Sequence, residues 1–171
     1  MRTEVHWIPG PWPGRLGIAP RPRGGDWLGD ELRSWREAGV DVVVSLLTPQ
    51  EEAELDLDDE EARSRYSGLE FLRLPIPDRS VPESRFEVAD LVTRLEEALA
   101  AGKDVAVHCR QGIGRSGLVA ALMLVAAGRG PDDAFHAVGI ARGIPVPETE
   151  EQRAWAEQFA AESAARTVHH G

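Results

Sequence analysis

The strongest constraint on the fold is a strand–turn–helix pattern in the second half of the chain. Asp104–His108 predicts a short apolar strand, and a turn that contains two glycines follows it. Ser116–Ala127 then reads SGLVAALMLVAA, which is apolar almost all round and predicts a helix buried at the centre of a core. A strand that leads through a short turn into a buried helix is typical of α/β folds.

The rest of the chain alternates between short strands and helices. Further strands are predicted at Leu16–Ala19, Val42–Leu47 and Glu70–Leu74, and helices at 27–38, 83–101, 131–141 and 147–163. This order predicts an α/β fold with a mainly parallel central sheet flanked by helices. In such folds ligands bind at the carboxyl ends of the strands, so the turn that follows Val107 is the first place to expect a site.

The acidic stretch 50–67 is weakly amphipathic and is expected to form helical turns that face solvent. Its densest part, Asp56–Glu61, lacks the ligand spacing of a calcium loop. We therefore interpret this charge run as a solvated helical face rather than as a cation site.

Length and composition indicate one globular domain. The chain has 171 residues, of which 42% are hydrophobic and 28% are charged, enough to bury a core. We expect a single domain over residues 1–171, with the Pro/Gly-rich segment 1–25 packed on it. A frayed tail is expected at 164–171, where His169 and His170 belong to the tail rather than to a metal site.

Charge and hydropathy exclude several classes of partner. The net charge of −10 argues against extensive nucleic-acid binding, which requires a basic surface. No stretch approaches the ~18 consecutive apolar residues that a membrane span needs, and the first ten residues lack the apolar core of a secretory signal. The sequence thus predicts a cytoplasmic protein without a membrane span, and it specifies no oligomeric state.

The chain contains a single cysteine, Cys109. A lone cysteine excludes an intramolecular disulfide, a multi-cysteine zinc site and any chemistry that needs two thiols in one chain. We predict no metal and no cofactor.

The turn after the predicted strand reads HCRQGIGRS and has the features of an anion site. Successive backbone N–H groups in a glycine-bearing turn form a nest for an anion, and the following helix N-terminus adds positive charge. A phosphate fits this cradle, and a Cys109 thiolate in the same place is stabilised. Arg115 supplies a planar fork for two phosphate oxygens, and Ser116 can hydrogen-bond the sulfur. The predicted substrate-binding residues are Arg110, Gln111, Gly112, Ile113, Gly114 and Arg115.

This string resembles the signature loop of the protein tyrosine phosphatase superfamily, H-C-x5-R-S/T. The chain length and the brief IPD loop at 76–78 resemble the compact dual-specificity branch, and in particular its cyclin-dependent kinase inhibitor 3-like members. Residues 40–160 are compatible with that fold in the order and spacing of their elements. The resemblance implies a cysteine-dependent phosphatase for phosphorylated proteins or small phosphate esters, with a phosphocysteine intermediate.

The candidate general acid is Asp78, in the proline-bracketed loop PIPDRSVP. Loss of an alkoxide or phenolate needs a proton donor, and the resembled family has an aspartate on a loop at this place in chain order. The alternative is a turn aspartate that caps backbone N–H groups. Asp104 precedes its strand and is therefore expected at the far end of the sheet.

Three further residues are candidates for supporting roles. His108 is expected to orient the loop through hydrogen bonds, as the corresponding histidine of the family does. Arg110 either meets substrate charge or forms a surface salt bridge. Gln152 shares a helical face with Thr149 and resembles the glutamine that positions the hydrolytic water in some family members. The alternative for Gln152 is an ordinary glutamine on a helix surface.

Three other functions remain open at this point. Phosphoinositide or inositol phosphate phosphatases often carry several basic residues in the loop, whereas here only Arg110 is added to Arg115. Rhodanese-like sulfurtransferases also place a cysteine in an anion-binding loop, but Asp78 and the Arg115-Ser116 pair favour phosphate. A non-catalytic phosphoprotein-binding module needs no nucleophile, so the presence of Cys109, Arg115 and Asp78 together counts against it.

Overall fold

A five-stranded, mostly parallel sheet forms the centre of the molecule, in a computed structural model that describes residues 4–170 and the side chains of residues 4–165. Its strands lie in the order β1-β2-β5-β3-β4, and β1 runs antiparallel to β2 while the other pairs are parallel. Their bounds are β1 His6–Ile8, β2 Leu16–Pro20, β3 Val40–Ser45, β4 Glu70–Arg73 and β5 Asp104–Cys109.

Helices cover both faces of the sheet, which confirms the predicted fold class. Within residues 4–170 they are α1 Leu28–Glu37, α2 Pro49–Glu54, α3 Glu60–Tyr66, α4 Arg85–Ala100, α5 Gly114–Ala126, α6 Pro131–Arg142 and α7 Glu150–His170, with a short 3₁₀ turn at Gly25–Trp27. None of the helices in this described range is long and apolar enough to cross a membrane.

Two apolar clusters hold the layers together. Because side chains alternate across a strand, Val42 and Val44 of β3 face the larger cluster while Val43 faces the smaller one. The larger cluster includes α4, α5, α6 and part of α7, and the smaller one includes α1. Helix α5 lies at the centre of the larger cluster, and every residue from Gly114 to Val125 is buried, as the apolar sequence predicts.

Some element boundaries differ from the sequence prediction. Strand β1, only three residues long, was not predicted, because so short a run has no clear periodicity. Helix α7 begins three residues later than predicted and extends to His170. The expected frayed tail at 164–171 falls in part on side chains beyond residue 165 and on Gly171, which lie outside the described residues.

The expectation that residues 50–67 face solvent is wrong for Glu51, Glu52 and Glu60, which are buried. The physical reason is that each carboxylate meets a basic side chain from another element, and a buried charge is tolerated when it is paired. Their partners are, respectively, Arg115, Arg73 and His108.

Leu122 provides a test of the packing around α5. Its side chain is fully buried, so Leu122→Ala should lower the free energy of unfolding by about 2–5 kcal/mol, measured by urea denaturation. The matched control is Ile140→Ala on α6, where the side chain is 68% exposed and the change should stay within about 0.5 kcal/mol. Equal effects of the two substitutions would contradict this account of the core.

Candidate active site

The turn after β5 lies at the carboxyl edge of the sheet, between the ends of β2 and β3. Cys109 is the last residue of β5, pairs with Pro20 of β2 and is 3% exposed. Residues 110–113 form the turn, and α5 begins at Gly114. The first turn of α5 therefore brings unpaired backbone N–H groups and the positive end of a helix dipole close to Cys109.

The turn is fixed by a close approach to β2 and by a side chain from α6. Gly112 has a φ of +70°, and a Cβ there would lie 2.4 Å from the carbonyl carbon of Ala19. Arg142 donates hydrogen bonds to the carbonyl oxygens of Gly112 (3.1 Å) and Gln111 (3.3 Å). Because the N–H and C=O of a trans peptide point in opposite directions, the N–H groups of Gly112 and Ile113 point away from Arg142.

Arg115 is the most heavily bonded side chain of the site. It is 2% exposed and donates to both carboxylate oxygens of Glu51, at 2.6 and 2.9 Å. Its Nη1 also donates to the carbonyl oxygen of Ile76 at 2.9 Å, and its Nη2 forms an ion pair with Oδ1 of Asp78 at 3.3 Å. One guanidinium thus joins α2, α5 and the loop that carries Asp78.

This pairing shifts the pKa values of both partners toward the charged form. Burial by itself lowers the pKa of Arg115, but the hydrogen bonds that it donates to Glu51 and the charges of Cys109, Glu51 and Asp78 outweigh burial and raise that pKa. Burial by itself raises the pKa of Glu51, but the hydrogen bonds from Arg115 and Thr48 and the charge of Arg115 hold it below its ordinary value. The structure therefore keeps a cation and an anion in contact beneath the turn.

Cys109, Arg115 and Asp78 line one open cavity of about 130 Å³. The Asp78 side chain is 61% exposed and lies at the mouth, whereas Cys109 and Arg115 lie at its buried end. The structure thus brings together a thiol, a guanidinium and a carboxyl group that are separated in the sequence. Such a constellation can hold an anion, attack it and exchange a proton with it.

Residues 18–129 match the model of a protein family described as polymorphic toxin system, DSP-PTPase phosphatase. The chain belongs to this family. It is therefore a phosphoric monoester hydrolase of the protein tyrosine phosphatase superfamily, in the compact dual-specificity branch that the signature loop resembles. No curated protein sequence matches the chain.

Several solved phosphatase structures share this fold over nearly the whole of the present chain. Kinase-associated phosphatase, with its catalytic-site cysteine replaced by serine, has a TM-score of 0.84 at 18% identity over 96% of this chain and 98% of that chain. Tk-PTP in its active form has a TM-score of 0.77 at 28% identity, over 92% and 96%. PTPMT1 in complex with PI(5)P has a TM-score of 0.75 at 22% identity, over 89% and 94%.

Two buried polar side chains of the phosphatase lie on either side of Cys109 in the sequence. His108 lies on β5 with its Nε2 2.5 Å from Oε2 of Glu60, and its ring is 6.0 Å from that of Trp35. Ser116 lies in the first turn of α5, and its hydroxyl has no hydrogen-bond partner among the described residues. The Ser116 hydroxyl is therefore free to donate to another group near the turn.

The remaining turn residues form the rim of the cavity. Arg110 lies 3.6 Å from Glu51 and 3.7 Å from Glu54, so it takes the surface salt bridge that the sequence left open. Gln111, Ile113 and Gly114 also line the cavity. A Cβ on Gly114 would lie 2.8 Å from the carboxylate of Glu148, so this glycine leaves room for a second carboxylate at the rim.

Gln152 is fully buried and is not on the helix surface. Its amide nitrogen donates to the carbonyl oxygen of Ser80 at 3.3 Å, and its amide oxygen accepts the backbone N–H of Glu148 at 3.0 Å. Its own backbone N–H donates to the hydroxyl of Thr149 at 3.1 Å. Gln152 does not line the described cavity. Asp104 is the first residue of β5 and binds Arg15 at the end of the strand opposite the turn, which is the end where the sequence predicts it.

Sequence reasoning missed Glu51, Arg142 and Glu148. Residues Thr48 to Glu51 form a capping box, in which each side chain accepts the backbone N–H of the other residue, and the T-x-x-E pattern could have located the start of α2. That pattern does not show that Glu51 pairs with a residue 64 positions away. Arg142 and Glu148 carry no local signal at all.

The close approach of Gly112 to β2 can be tested by substitution, with a second glycine of similar backbone conformation as the control. Gly112→Ala should abolish binding of vanadate, measured by inhibition, because the new Cβ collides with the backbone of Ala19. Gly102→Ala is the control, since Gly102 has a φ of +85°, lies at the opposite end of β5 from the turn and has nothing within 4 Å of the place a Cβ would occupy. If both variants bind vanadate like the wild type, the turn does not depend on this contact.

The Glu51–Arg115 pair predicts how stability depends on pH. Because the folded-state pKa of Glu51 is lowered, the pair contributes stability above the ordinary value of 4.5, and this contribution is lost as the pH falls through the lowered pKa. The difference in unfolding free energy between wild type and Glu51→Gln should therefore shrink on acidification below pH 4.5.

Glu96 is the matched control, because burial raises its pKa. Wild type therefore loses stability relative to Glu96→Gln as the pH rises through the titration of this carboxyl group, whereas it gains stability relative to Glu51→Gln as the pH rises. The two differences in unfolding free energy should thus change with pH in opposite directions. Urea denaturation across the acidic range measures both. A constant difference between wild type and Glu51→Gln would contradict the assigned ion pair.

Proposed function

We propose that this phosphatase hydrolyses phosphotyrosine and phosphoserine or phosphothreonine in proteins, through a phosphocysteine intermediate on Cys109. The observation that carries the proposal is the convergence of Cys109, Arg115 and Asp78 on one cavity, with Arg115 in contact with Asp78 at 3.3 Å. Nucleophile, phosphate clamp and acid then lie within reach of a single phosphoryl group.

In the first step the Cys109 thiolate attacks phosphorus. The S–P bond forms while the P–O bond to the substrate breaks, and Asp78 gives its proton to the departing oxygen. Backbone N–H groups of the turn and the Arg115 fork stabilise the equatorial oxygens. The bidentate contact with Glu51 holds the Arg115 plane in place before substrate arrives.

In the second step water attacks the phosphocysteine. Asp78, now a carboxylate, accepts a proton from the water, the new P–O bond forms, and the sulfur leaves as a thiolate. The unpartnered hydroxyl of Ser116 lies in the first turn of α5, where it can donate to the leaving sulfur. His108, anchored to Glu60, supports the strand end from which Cys109 projects.

The charges of the rim favour a phosphoprotein over a phosphoinositide. Arg79 and Arg110, the other basic residues that line the cavity, face Glu148 and Glu51 at 3.6 Å each, so additional phosphates would have to compete with carboxylates. PTPMT1, whose structure contains PI(5)P, shares the fold with this chain. We therefore keep phosphoinositides as a substrate class to be tested beside phosphopeptides.

The family description also names polymorphic toxin systems. We propose that the described domain supplies the enzymatic activity of such a system. The cytoplasmic location expected from the sequence stays a prediction.

The decisive experiment is hydrolysis of p-nitrophenyl phosphate in the presence of a chelator. Wild type should turn over the ester without added metal, and Cys109→Ser should lose at least about 10³-fold in kcat. Arg115→Lys keeps the charge but loses the fork, and it should also lose activity strongly. Arg33→Lys, at a side chain that is 67% exposed, is the matched control and should match wild type.

Two outcomes would count against the proposed function. Activity retained by Cys109→Ser would exclude the phosphocysteine route, and activity lost in chelator but restored by a metal would assign the chemistry to another site. Once wild type is active, phosphopeptides and phosphoinositides are compared by kcat/KM, and preference for the phosphoinositide would overturn the substrate assignment.

A further inference from the structure

We infer that Gln152 is a positioning residue for the general acid, holding the loop that carries Asp78 in place over the cavity. This inference rests on the proposed function, in which Asp78 is the acid. It differs from the water-positioning role that the sequence resemblance implies for Gln152.

The Asp78 loop lies between β4 and α4 and needs contacts from outside to keep its shape. Arg79, directly after Asp78, has a φ of +58°, a left-handed conformation that residues with a side chain rarely adopt. Within the loop, the N–H of Ser80 donates to the carbonyl oxygen of Pro77 at 3.0 Å, which closes one turn. A turn with an unfavourable dihedral persists only where the surroundings hold it.

The loop is anchored two residues before Asp78 and two residues after it. On the upstream side the carbonyl oxygen of Ile76 accepts from Arg115 at 2.9 Å. On the downstream side the carbonyl oxygen of Ser80 accepts from the amide of Gln152 at 3.3 Å. Asp78 lies between these two anchors, so both determine where its carboxyl group stands.

Gln152 can act as an anchor because its amide is held at both ends. The amide oxygen accepts the N–H of Glu148 at 3.0 Å while the amide nitrogen bonds Ser80, so the side chain bridges two backbone segments. The residue is 0% exposed, and a buried amide gives up such bonds only at a cost. An ion pair of Arg79 with Glu148 at 3.6 Å joins the same two segments, but Arg79 is 67% exposed and the pair is correspondingly weak.

The position of Gln152 favours action through Asp78 rather than on substrate or water. Gln152 does not line the described cavity, and both its polar atoms are already bonded to backbone groups. A residue that acts only by positioning the general acid affects some substrates more than others. Loss of Gln152 should slow the hydrolysis of esters whose leaving group needs a proton, and it should leave the hydrolysis of esters whose leaving group departs without one nearly unchanged.

The test compares Gln152→Met with wild type on phenyl phosphate, a poor leaving group, and dinitrophenyl phosphate, a good one. Methionine keeps the length of the side chain and removes both hydrogen bonds. Gln152→Asn, which keeps the amide but is one methylene short, is a second variant if Gln152→Met folds poorly. Phe159→Leu, a core change on the same helix, controls for general loosening of α7.

The expected result is a loss of about tenfold or more in kcat/KM for phenyl phosphate, as a part of the 10²–10⁴-fold effect of a general acid. For dinitrophenyl phosphate the loss should stay under about twofold, and vanadate inhibition should be unchanged, because the anion cradle is intact. In an Asp78→Asn background, Gln152→Met should have no further effect, since the acid it holds is already gone. Phe159→Leu should show none of this selectivity.

Equal losses for both esters, or the same pattern in Phe159→Leu, would overturn the inference. A fall in kcat with kcat/KM unchanged and a burst of the phenol product would also overturn it, because that pattern assigns Gln152 to breakdown of the phosphocysteine. Failure of the proposed function is a separate observation, since Asp78→Asn would then itself show no selective loss with phenyl phosphate.

Discussion

The contact between Arg115 and Glu51 is the interaction on which the rest of the site depends. A guanidinium that is 2% exposed is costly unless its charge and its N–H donors are satisfied, and Glu51 provides both with two hydrogen bonds. The remaining contacts of Arg115 go to the Asp78 loop, at the Ile76 carbonyl and at Asp78 itself. One buried ion pair therefore sets the relative positions of the turn, α2 and the loop that carries Asp78.

Although the chain is acidic overall, buried carboxylates hold the basic side chains of the site in place. The net charge is −10, yet Glu51 of α2 and Glu60 of α3 are buried rather than in solvent. Glu51 holds Arg115, and Glu60 holds His108 at the end of β5. Local pairing, and not the overall charge, thus decides whether the site attracts an anion, because interactions between exposed charges are largely screened beyond about 8–10 Å at ordinary ionic strength.

The surrounding fold supplies rigidity to a site made largely of turns. Cys109 projects from the central strand of the sheet, and α5 behind it is buried along nearly its whole length. A rigid scaffold of this kind positions the functional residues that its loops carry. Kinase-associated phosphatase shares the overall fold, with a TM-score of 0.84 at 18% identity. In this chain the loop that carries Asp78 is bonded on both sides of that residue, by Arg115 at Ile76 and by Gln152 at Ser80.

The sequence by itself determined the features that are local. The strand, the glycine-bearing turn and the apolar helix from Asp104 to Ala127 are readable because periodicity and turn chemistry act over a few residues. Only the tertiary structure decided which polar residues are buried. Glu51 lies 64 positions from Arg115, Glu60 lies 48 from His108 and Gln152 lies 72 from Ser80. An acidic or amide side chain has the same local pattern on an exposed face as in a buried pair, so its role is fixed only when the fold supplies the partner.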